Sequence, residues 1–548
     1  MTKGVASEMA QPDLLHPTPR VRVDPQGTRL AVELAFAGGT GGGLFEETLD
    51  RASFAPSSWE PAAFMNDLFL TRFVAGCFKI RLGKNEVLPL GTHLVRLLGQ
   101  PPKELAIVEH RRAILRELSA SPELVKELRE LYVALARLRA LLENTGGGRD
   151  WDPVRRQLDI LQALKLVFDR MATGFASSRS GLSVLAEFGL RVQSGEPYQS
   201  LSDLLRYDER RATLSLNIGV GADGRIRGFE VVSVQEDADN PFTSSPLRRL
   251  LSKVELFLRG YRFGDGEVMA RLVDAVFSGV VDEVVALIQL FGDMELYLGA
   301  IGFAEQARAA GLEVCLPELV EPEAPRNLEG LFNPLLLISG IQPVPCNLQT
   351  AELCTTVLVT GPNSGGKTRL LQSVGLTQLM AQSGLFIPAR AGAVSLTSSL
   401  VMSLIQETKA DQAEGRLGME LIRIRDLFER LPPGAMVLLD ELCSGTNPSE
   451  GEEIFELVVT MLAKLQPQAF ITTHFLAFAA RLAREQKIPK LAFIQVELDE
   501  ERRATYQFSP GVATTSLAGH AAERLGVTGE QLETLIERNI QRWKTAAE

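Results

Sequence analysis

One stretch limits the folds open to this chain more than any other: TTVLVTGPNSGGKTRLLQ at 355–372. Its first six residues, threonines around Val357-Leu358-Val359, form a short uncharged run of the kind that makes a strand buried on both faces. The glycines that follow let the backbone curl so that successive N–H groups point inward. A helix opening at Lys367 would add the partial positive charge of its N-terminus. Gly361, Gly366, Lys367 and Thr368 have the spacing G-x-x-x-x-G-K-[ST], and strand and helix flank it in the required places. The loop Gly361, Pro362, Asn363, Ser364, Gly365, Gly366, Lys367, Thr368 is therefore read as a nucleotide-phosphate cradle. Lys367 is placed to reach the β and γ phosphates. The Thr368 hydroxyl is placed to ligate Mg2+, a hard ion that takes oxygen ligands. The expected cofactors are ATP and Mg2+.

Two further runs repeat the strand pattern. MVLLDE (436–441) buries four apolar residues and then ejects Asp440 and Glu441 at the strand's C-terminal end, where open α/β sheets bind ligands. Asp440 is read as a magnesium-holding residue, acting through water. Glu441 is read as the catalytic group that orients or deprotonates the attacking water. AFITTH (469–474) ends in His474, read as a catalytic sensor of the γ-phosphate. Residues 331–548 are thus expected to be an α/β P-loop ATPase domain with a mainly parallel sheet.

The rest of the chain reads differently. Residues 1–60 are rich in Gly, Pro and Ser and are expected to form a mobile arm with at most a short strand pair near 19–36. Residues 61–330 are expected to be a mainly α-helical core or lever domain. Leu124, Leu128, Leu131, Leu135, Leu138 and Leu142 form a heptad-like seam, and Leu158, Leu161, Leu164 and Phe168 continue it beyond a glycine turn. That pattern predicts an antiparallel helical hairpin, either an ordinary packing unit or a projecting lever arm. Residues 213–235 alternate around a Gly-rich turn and predict a β-hairpin inside the helical region. Residues 266–311 return to helix, with Gly279, Gly292, Gly299 and Gly302 as candidate bends.

Bulk properties exclude several classes. The five cysteines are scattered with no CxxC pair, which argues against a disulfide framework or a thiolate zinc site and fits a reducing cytoplasm. No signal peptide is read at the start and no membrane partner is expected. A formal net charge of −11 excludes a general nucleic-acid sponge, so DNA contact must rest on a local patch. The candidate is PLRRLLSKVELFLRGYRFG (246–264), where Arg248, Arg249, Lys253, Arg259 and Arg262 face a single Glu255 and aromatic residues are interleaved. The same run also reads as a solvated helix face.

These motifs resemble the MutS family. GPNSGGKT (361–368) is similar to its phosphate loop, and DELCSGTNPSEG (440–451) to the loop after its second strand. The ending Thr446, Pro448, Gly451 looks more like the recombination and ribosome-rescue paralogue than the mismatch-repair type. ADQAEGR (410–416) is similar to the loop before the family's signature helix. TTSLAGHAAERLGVTGEQLETLIER (514–538) resembles its closing helix-turn-helix, and FNPLL (332–336) and VPCN (344–347) its lead-in. LPLGTHLVRLLGQPPKELAIVEHRRAIL (88–115) resembles the start of its helical core.

The resemblance implies an ABC-class ATPase working as a homodimer through its ATPase domains. It implies ATP-controlled engagement of double-stranded DNA with mismatches or branches, in repair or recombination. It also implies a MutS-related chain lacking the mismatch-recognition domain, since Phe45 and Glu47 form an F-x-E triplet of a kind that recurs at Phe303 and Glu305. One departure matters: Leu417 and Gly418 stand where the family's signature segment commonly has Ser and Thr, which puts turnover across a dimer in question. The alternative is a nucleotide-gated scaffold that binds protein or ribosome with little hydrolysis.

Overall fold

The computed structural model describes residues 11–39, 42–143, 153–208, 212–220, 226–236, 265–404, 416–443, 447–514 and 527–547. The helical part contains α1 (Pro25–Phe36), α2 (Leu44–Asp50), α3 (Leu70–Cys77), the hairpin β1 (Ile80–Leu82) and β2 (Asn85–Val87), and α4 (Gly91–Gly99). It continues through α5 (Leu105–Ala120), α6 (Pro122–Glu143), α7 (Pro153–Gly174), α8 (Ser183–Gln193), α9 (Glu196–Asp208) and an antiparallel pair, β3 (Ala212–Val220) with β4 (Ile226–Glu236). It ends in α10 (Asp265–Ala309).

Helix α10 organises this part. Its 45 residues span about 68 Å at the α-helical rise. The stretch Met269–Ala309 is long and apolar enough to cross a membrane, but its most apolar window is 72% buried inside the molecule. Every residue from Val284 to Ala300 is buried, so this stretch is the central helix of a bundle, covered all round by its neighbours. The four glycines expected to bend it do something else. A Cβ on Gly302 would lie 1.9 Å from the Lys79 carbonyl oxygen, and one on Gly292 would lie 2.8 Å from the His93 ring. They let neighbouring backbone and side chains approach an unbroken helix.

The expectation of a mobile arm with a strand pair is corrected over its described residues. Asp24 accepts from the Gln26 N–H as N-cap and Pro25 opens α1, two helix-start signals in succession. Val32, Ala35 and Phe36 then bury one face. The segment is too small to hold a core alone, so it borrows that of α10. Tyr297 donates to the Leu14 carbonyl at 2.5 Å, the Leu14 N–H donates to Asp293, and the Arg22 guanidinium pairs with Asp293. Phe45 is fully buried, edge-on to Phe291, so the Phe of its F-x-E triplet is core packing, while Glu47 is exposed.

Helices α6 and α7 run antiparallel. The Arg156 guanidinium donates to the Leu141 carbonyl near one end, and Arg170 pairs with Glu130 towards the other. All six seam leucines are buried in the core that holds α10. Of the two readings of this hairpin, the ordinary packing unit is the one observed.

The second part comprises β5 (Glu318–Leu319), β6 (Arg326–Leu331), α11 (Pro334–Ile338), β7 (Cys346–Thr350), β8 (Thr356–Thr360), α12 (Lys367–Gln382), β9 (Ala391–Val394) and β10 (Leu400–Ser403). It continues with α13 (Arg416–Arg430), β11 (Met436–Leu439), α14 (Pro448–Leu465), β12 (Gln468–Thr473), α15 (Leu476–Glu485), β13 (Leu491–Leu498), β14 (Ala504–Pro510) and α16 (Gly529–Ala547). Its main sheet has the order β10-β11-β12-β8-β13-β14, parallel except for β14 at one edge. A smaller mixed sheet, β5-β9-β6-β7, lies outside it. Because β5 and β6 already belong to that sheet, this part begins near Glu318 rather than at 331.

The two parts share one hydrophobic core. Arg111, fully buried on α5, donates to the carbonyls of Leu15 and of Ser383, the residue that caps α12. Trp59 donates through Nε1 to the Thr397 carbonyl at 3.1 Å.

Candidate nucleotide-binding site

All five residues of β8 are buried, and the strand runs straight into the glycine loop. Gly361 has φ +143°, and a Cβ there would come within 2.6 Å of a Val496 methyl. Gly366, at φ +88°, is the N-cap of α12, where the left-handed conformation costs glycine little. Ser364 between them is also left-handed, at φ +68°. The loop is therefore tightly wound beneath β13, with the Tyr506 ring 3.1 Å from where a Gly366 Cβ would sit.

Lys367 is almost wholly buried, and its ammonium donates to the carbonyls of Gly361 at 3.0 Å and Pro362 at 3.1 Å. Burial pushes its pKa below the usual lysine value, while the nearby Glu441 and Asp440 carboxylates pull the other way. An anion bound in the loop would add to that pull.

Strand β11 is buried along its length, and its ladder continues one residue further through the Asp440 N–H, which donates to Ser403. Asp440 then turns its carboxylate to the loop. The Thr368 hydroxyl donates to Oδ2 at 2.5 Å, and the Thr472 hydroxyl donates to Oδ1. Glu441 follows in a left-handed conformation, φ +50°, with its N–H donating to the Thr472 hydroxyl oxygen at 2.8 Å. Strand β12 lies between β11 and β8 in parallel register. The exposed residue just past its end, His474, therefore sits on the same sheet edge as the carboxylates and the loop.

A cavity of about 800 Å³ opens at this edge. Asn363 through Thr368 line its floor, Glu441 lines one side, and Phe332, Val344, Tyr506 and Phe508 give it an apolar wall. Its size and mixed lining suit a small ligand with one anionic and one flat apolar end. A cavity of about 1070 Å³ between α5, α6 and α10 has no phosphate loop.

Magnesium takes one or two protein oxygens and fills its octahedron with water and phosphate oxygens. Thr368 and Asp440 present such a converging oxygen pair, so these residues fit the ion. Among the described residues, no group of three or more His, Cys, Asp or Glu could hold a metal by itself.

The structure thus brings together the loop 361–368, Asp440, Glu441 and the strand end carrying His474. Sequence reasoning missed Thr472, which bonds both acidic residues, although it stands in the same TTH run as His474. It also missed Tyr506 and Phe508, which come from the antiparallel edge strand and carry no local motif. The basic run with Arg248, Arg249, Lys253, Arg259 and Arg262 lies outside the described residues. So do 405–415, 444–446 and 515–526, hence most of ADQAEGR, part of the loop after β11 and the start of the closing helix-turn-helix.

The chain matches known proteins over this region. Residues 357–538 match the family model for MutS domain V. An endonuclease MutS2 of Thermomicrobium roseum is 29% identical over 278 residues, covering 48% of this chain and 33% of that protein. An endonuclease MutS2 of Clostridium botulinum is 33% identical over 193 residues, covering 35% and 24%. One of Clostridium novyi is 31% identical over 265 residues, covering 48% and 33%. The chain thus spans about a quarter to a third of the length of the curated relatives it matches. The matched stretch holds the glycine loop, both acidic residues and the strand that leads into His474, and over it the chain is similar to MutS domain V.

Proposed function

We propose that this protein binds ATP with magnesium at the 361–368 loop, hydrolyses it, and uses the cycle to control its engagement of double-stranded DNA with mismatches or branches. The observation that carries the nucleotide reading is that Lys367, Thr368 and Glu441 line one cavity and the Thr368 hydroxyl donates to the Asp440 carboxylate. Lys367 exchanges the carbonyls of Gly361 and Pro362 for β and γ phosphate oxygens. Thr368 and Asp440 would hold Mg2+, which would supply charge neutralisation at the phosphates. Glu441 orients the attacking water and takes its proton, and His474 contacts the γ-phosphate from the neighbouring strand. The Phe332, Tyr506 and Phe508 wall takes the base.

Two ATPase domains close on each other in this reading, as in ABC-class enzymes, and the exposed apolar face of α16 supports the pairing. Arg111, which joins the end of α12 to the N-terminal segment lying on α10, offers a path from nucleotide to helical part. The name endonuclease MutS2 borne by its relatives supports a nucleic-acid substrate. The acidic net charge supports a second reading, a nucleotide-gated scaffold for protein or ribosome.

Glu441→Gln tests the chemistry: nucleotide affinity should stay within about threefold while turnover falls by at least about a hundredfold. Equal loss of both would remove Glu441 from its role. ATPase rates with mismatched duplex, branched DNA and ribosomes, each at two salt concentrations, separate the readings. Stimulation by ribosomes alone would favour the scaffold.

A further inference from the structure

The nucleotide reading uses Lys367, Thr368, Asp440, Glu441 and His474, and leaves unused the residue that joins the two acidic groups. We propose that Thr472 is the positioning residue of this site. It holds the Asp440 carboxylate and the Glu441 backbone in working geometry through a single hydroxyl. The proposal rests on the hydrolysis reading above and deepens it.

Hydrogen-bond inventory settles the direction of each bond. A backbone N–H can only donate, so the Thr472 oxygen accepts from Glu441, at 2.8 Å. The hydroxyl has one hydrogen, and it goes to Oδ1 of Asp440. Thr472 thus accepts from one acidic residue and donates to the other. The neighbouring Thr473 cannot replace it. Successive side chains on a strand point to opposite faces, and the Thr473 hydroxyl oxygen instead accepts from the Phe475 N–H, at 3.1 Å, where the chain turns into α15.

Each bond has a consequence for the reaction. The two oxygens of Asp440 are taken by two different hydroxyls, Thr368 on Oδ2 and Thr472 on Oδ1. Were Thr368 to ligate Mg2+, Oδ2 would be freed while Thr472 still held Oδ1, so Asp440 would be oriented to help hold the ion. Glu441, at φ +50°, sits in a region that non-glycine residues adopt at a cost. The bond from its N–H to Thr472 offsets that cost and fixes where the glutamate side chain leaves the backbone. Thr472 is fully buried, so no solvent molecule competes at its hydroxyl.

The test compares Thr472→Val, which keeps the shape and removes the hydroxyl, with Thr472→Ser, which keeps the hydroxyl, in the full chain. Three quantities are read: ATP turnover against ATP affinity, the Mg2+ concentration for half-maximal ATP binding, and hydrogen exchange at the Glu441 amide without nucleotide. The Val variant should keep metal-free ATP affinity within about threefold, need about tenfold more Mg2+, and turn over about a hundredfold slower. Its Glu441 amide should exchange faster, and the Ser variant should recover all three properties. Wild-type turnover and Mg2+ dependence in the Val variant would overturn the proposal, as would a Ser variant as impaired as Val. If the wild-type chain hydrolyses no ATP, the hydrolysis reading fails by itself, and amide exchange and Mg2+ dependence still decide the role of Thr472. Should the Val variant not fold, Thr472→Ala removes the same hydroxyl with less bulk. If neither folds while the Ser variant does and turns over normally, slow wild-type exchange at the Glu441 amide upholds the tether and fast exchange overturns it.

Discussion

Thr368 and Asp440 lie 72 residues apart in the chain, yet the hydroxyl of one donates to the carboxylate of the other at 2.5 Å. That contact joins the start of α12 to the end of β11 across the β12 and β8 strands. Removing its acidic member should loosen the metal more than the nucleotide. In Asp440→Asn, the Mg2+ concentration needed for half-maximal ATP binding should rise about 10- to 100-fold. Affinity for ATP in excess chelator should change by less than about threefold, as calorimetry in the two conditions would show. An unchanged Mg2+ requirement would separate Asp440 from the metal.

Lys367 presents a complementary case. Its ammonium is buried against two carbonyls, a poor substitute for phosphate, and burial already lowers its pKa. Lys367→Ala removes a charge-assisted contact of about 1.5–3 kcal/mol, so ATP should bind roughly 10- to 100-fold more weakly. The thermal stabilisation that saturating ATP gives the wild-type chain should shrink accordingly. Because the variant also removes a buried charge whose desolvation opposes folding, its melting temperature without nucleotide should not fall.

The glycine loop and the strand ends were legible because their chemistry is local. Gly361, Gly366, Lys367 and Thr368 are constrained by one turn, and Asp440 and Glu441 by where a buried strand stops. Thr472 was not legible as a partner of both acidic residues, since its role follows from strand order, with β12 seated between β11 and β8. The N-terminal segment misled for a related reason. Its glycines and prolines suggest an arm, whereas its order comes from Asp293, Gln289 and Tyr297 on a helix more than 250 residues away. The glycines of α10 look like bends when only local propensity is weighed. The Lys79 carbonyl that passes over Gly302 is what makes a side chain intolerable there.

That close approach can be tested. In Gly302→Ala, the new Cβ would lie 1.9 Å from backbone oxygen, which cannot swing aside as a side chain can. Helix propensity favours alanine by about 1 kcal/mol, but forcing apart α10 and the segment bearing Lys79 should outweigh it. We expect net destabilisation of about 1–3 kcal/mol by urea unfolding. Gly311→Ala does not serve as a control because Gly311 has φ +73°, whereas Gly91→Ala meets nothing within 4 Å and should be near neutral or stabilising.

Glu295 makes stability depend on pH. It is buried on α10, where its carboxyl takes the Leu90 N–H and the Tyr132 hydroxyl, and burial pushes its pKa from 4.5 up to about 7. The folded chain therefore holds a proton that the unfolded chain releases near pH 4.5. Its contribution is fully present below that value and is lost as pH rises through about 7. The change is on the order of 3 kcal/mol at most. Glu295→Gln removes the ionisation and keeps a carbonyl for one of the two donors. The slope of unfolding free energy between pH 5 and 8 should flatten in the variant, and an unaltered slope would place the titrating group elsewhere.

Helix α16 tests the dimer. Leu532, Leu535, Ile536, Ile540 and Trp543 are all at least 41% exposed, and Trp543 reaches 80%. Their spacing of three, one, four and three residues places them along one helical stripe, with Glu530, Glu533 and Glu537 interspersed. Water should not face so continuous an apolar stripe unless another surface covers it in the working state. If a second ATPase domain is that surface, Ile536→Glu with Ile540→Glu should convert an ATP-dependent dimer to monomer in sedimentation velocity. ATP affinity per chain should stay near wild type because neither residue lines the nucleotide cavity. Turnover should fall if the partner completes the site, and monomers hydrolysing at the wild-type rate would show that each chain's site is complete alone.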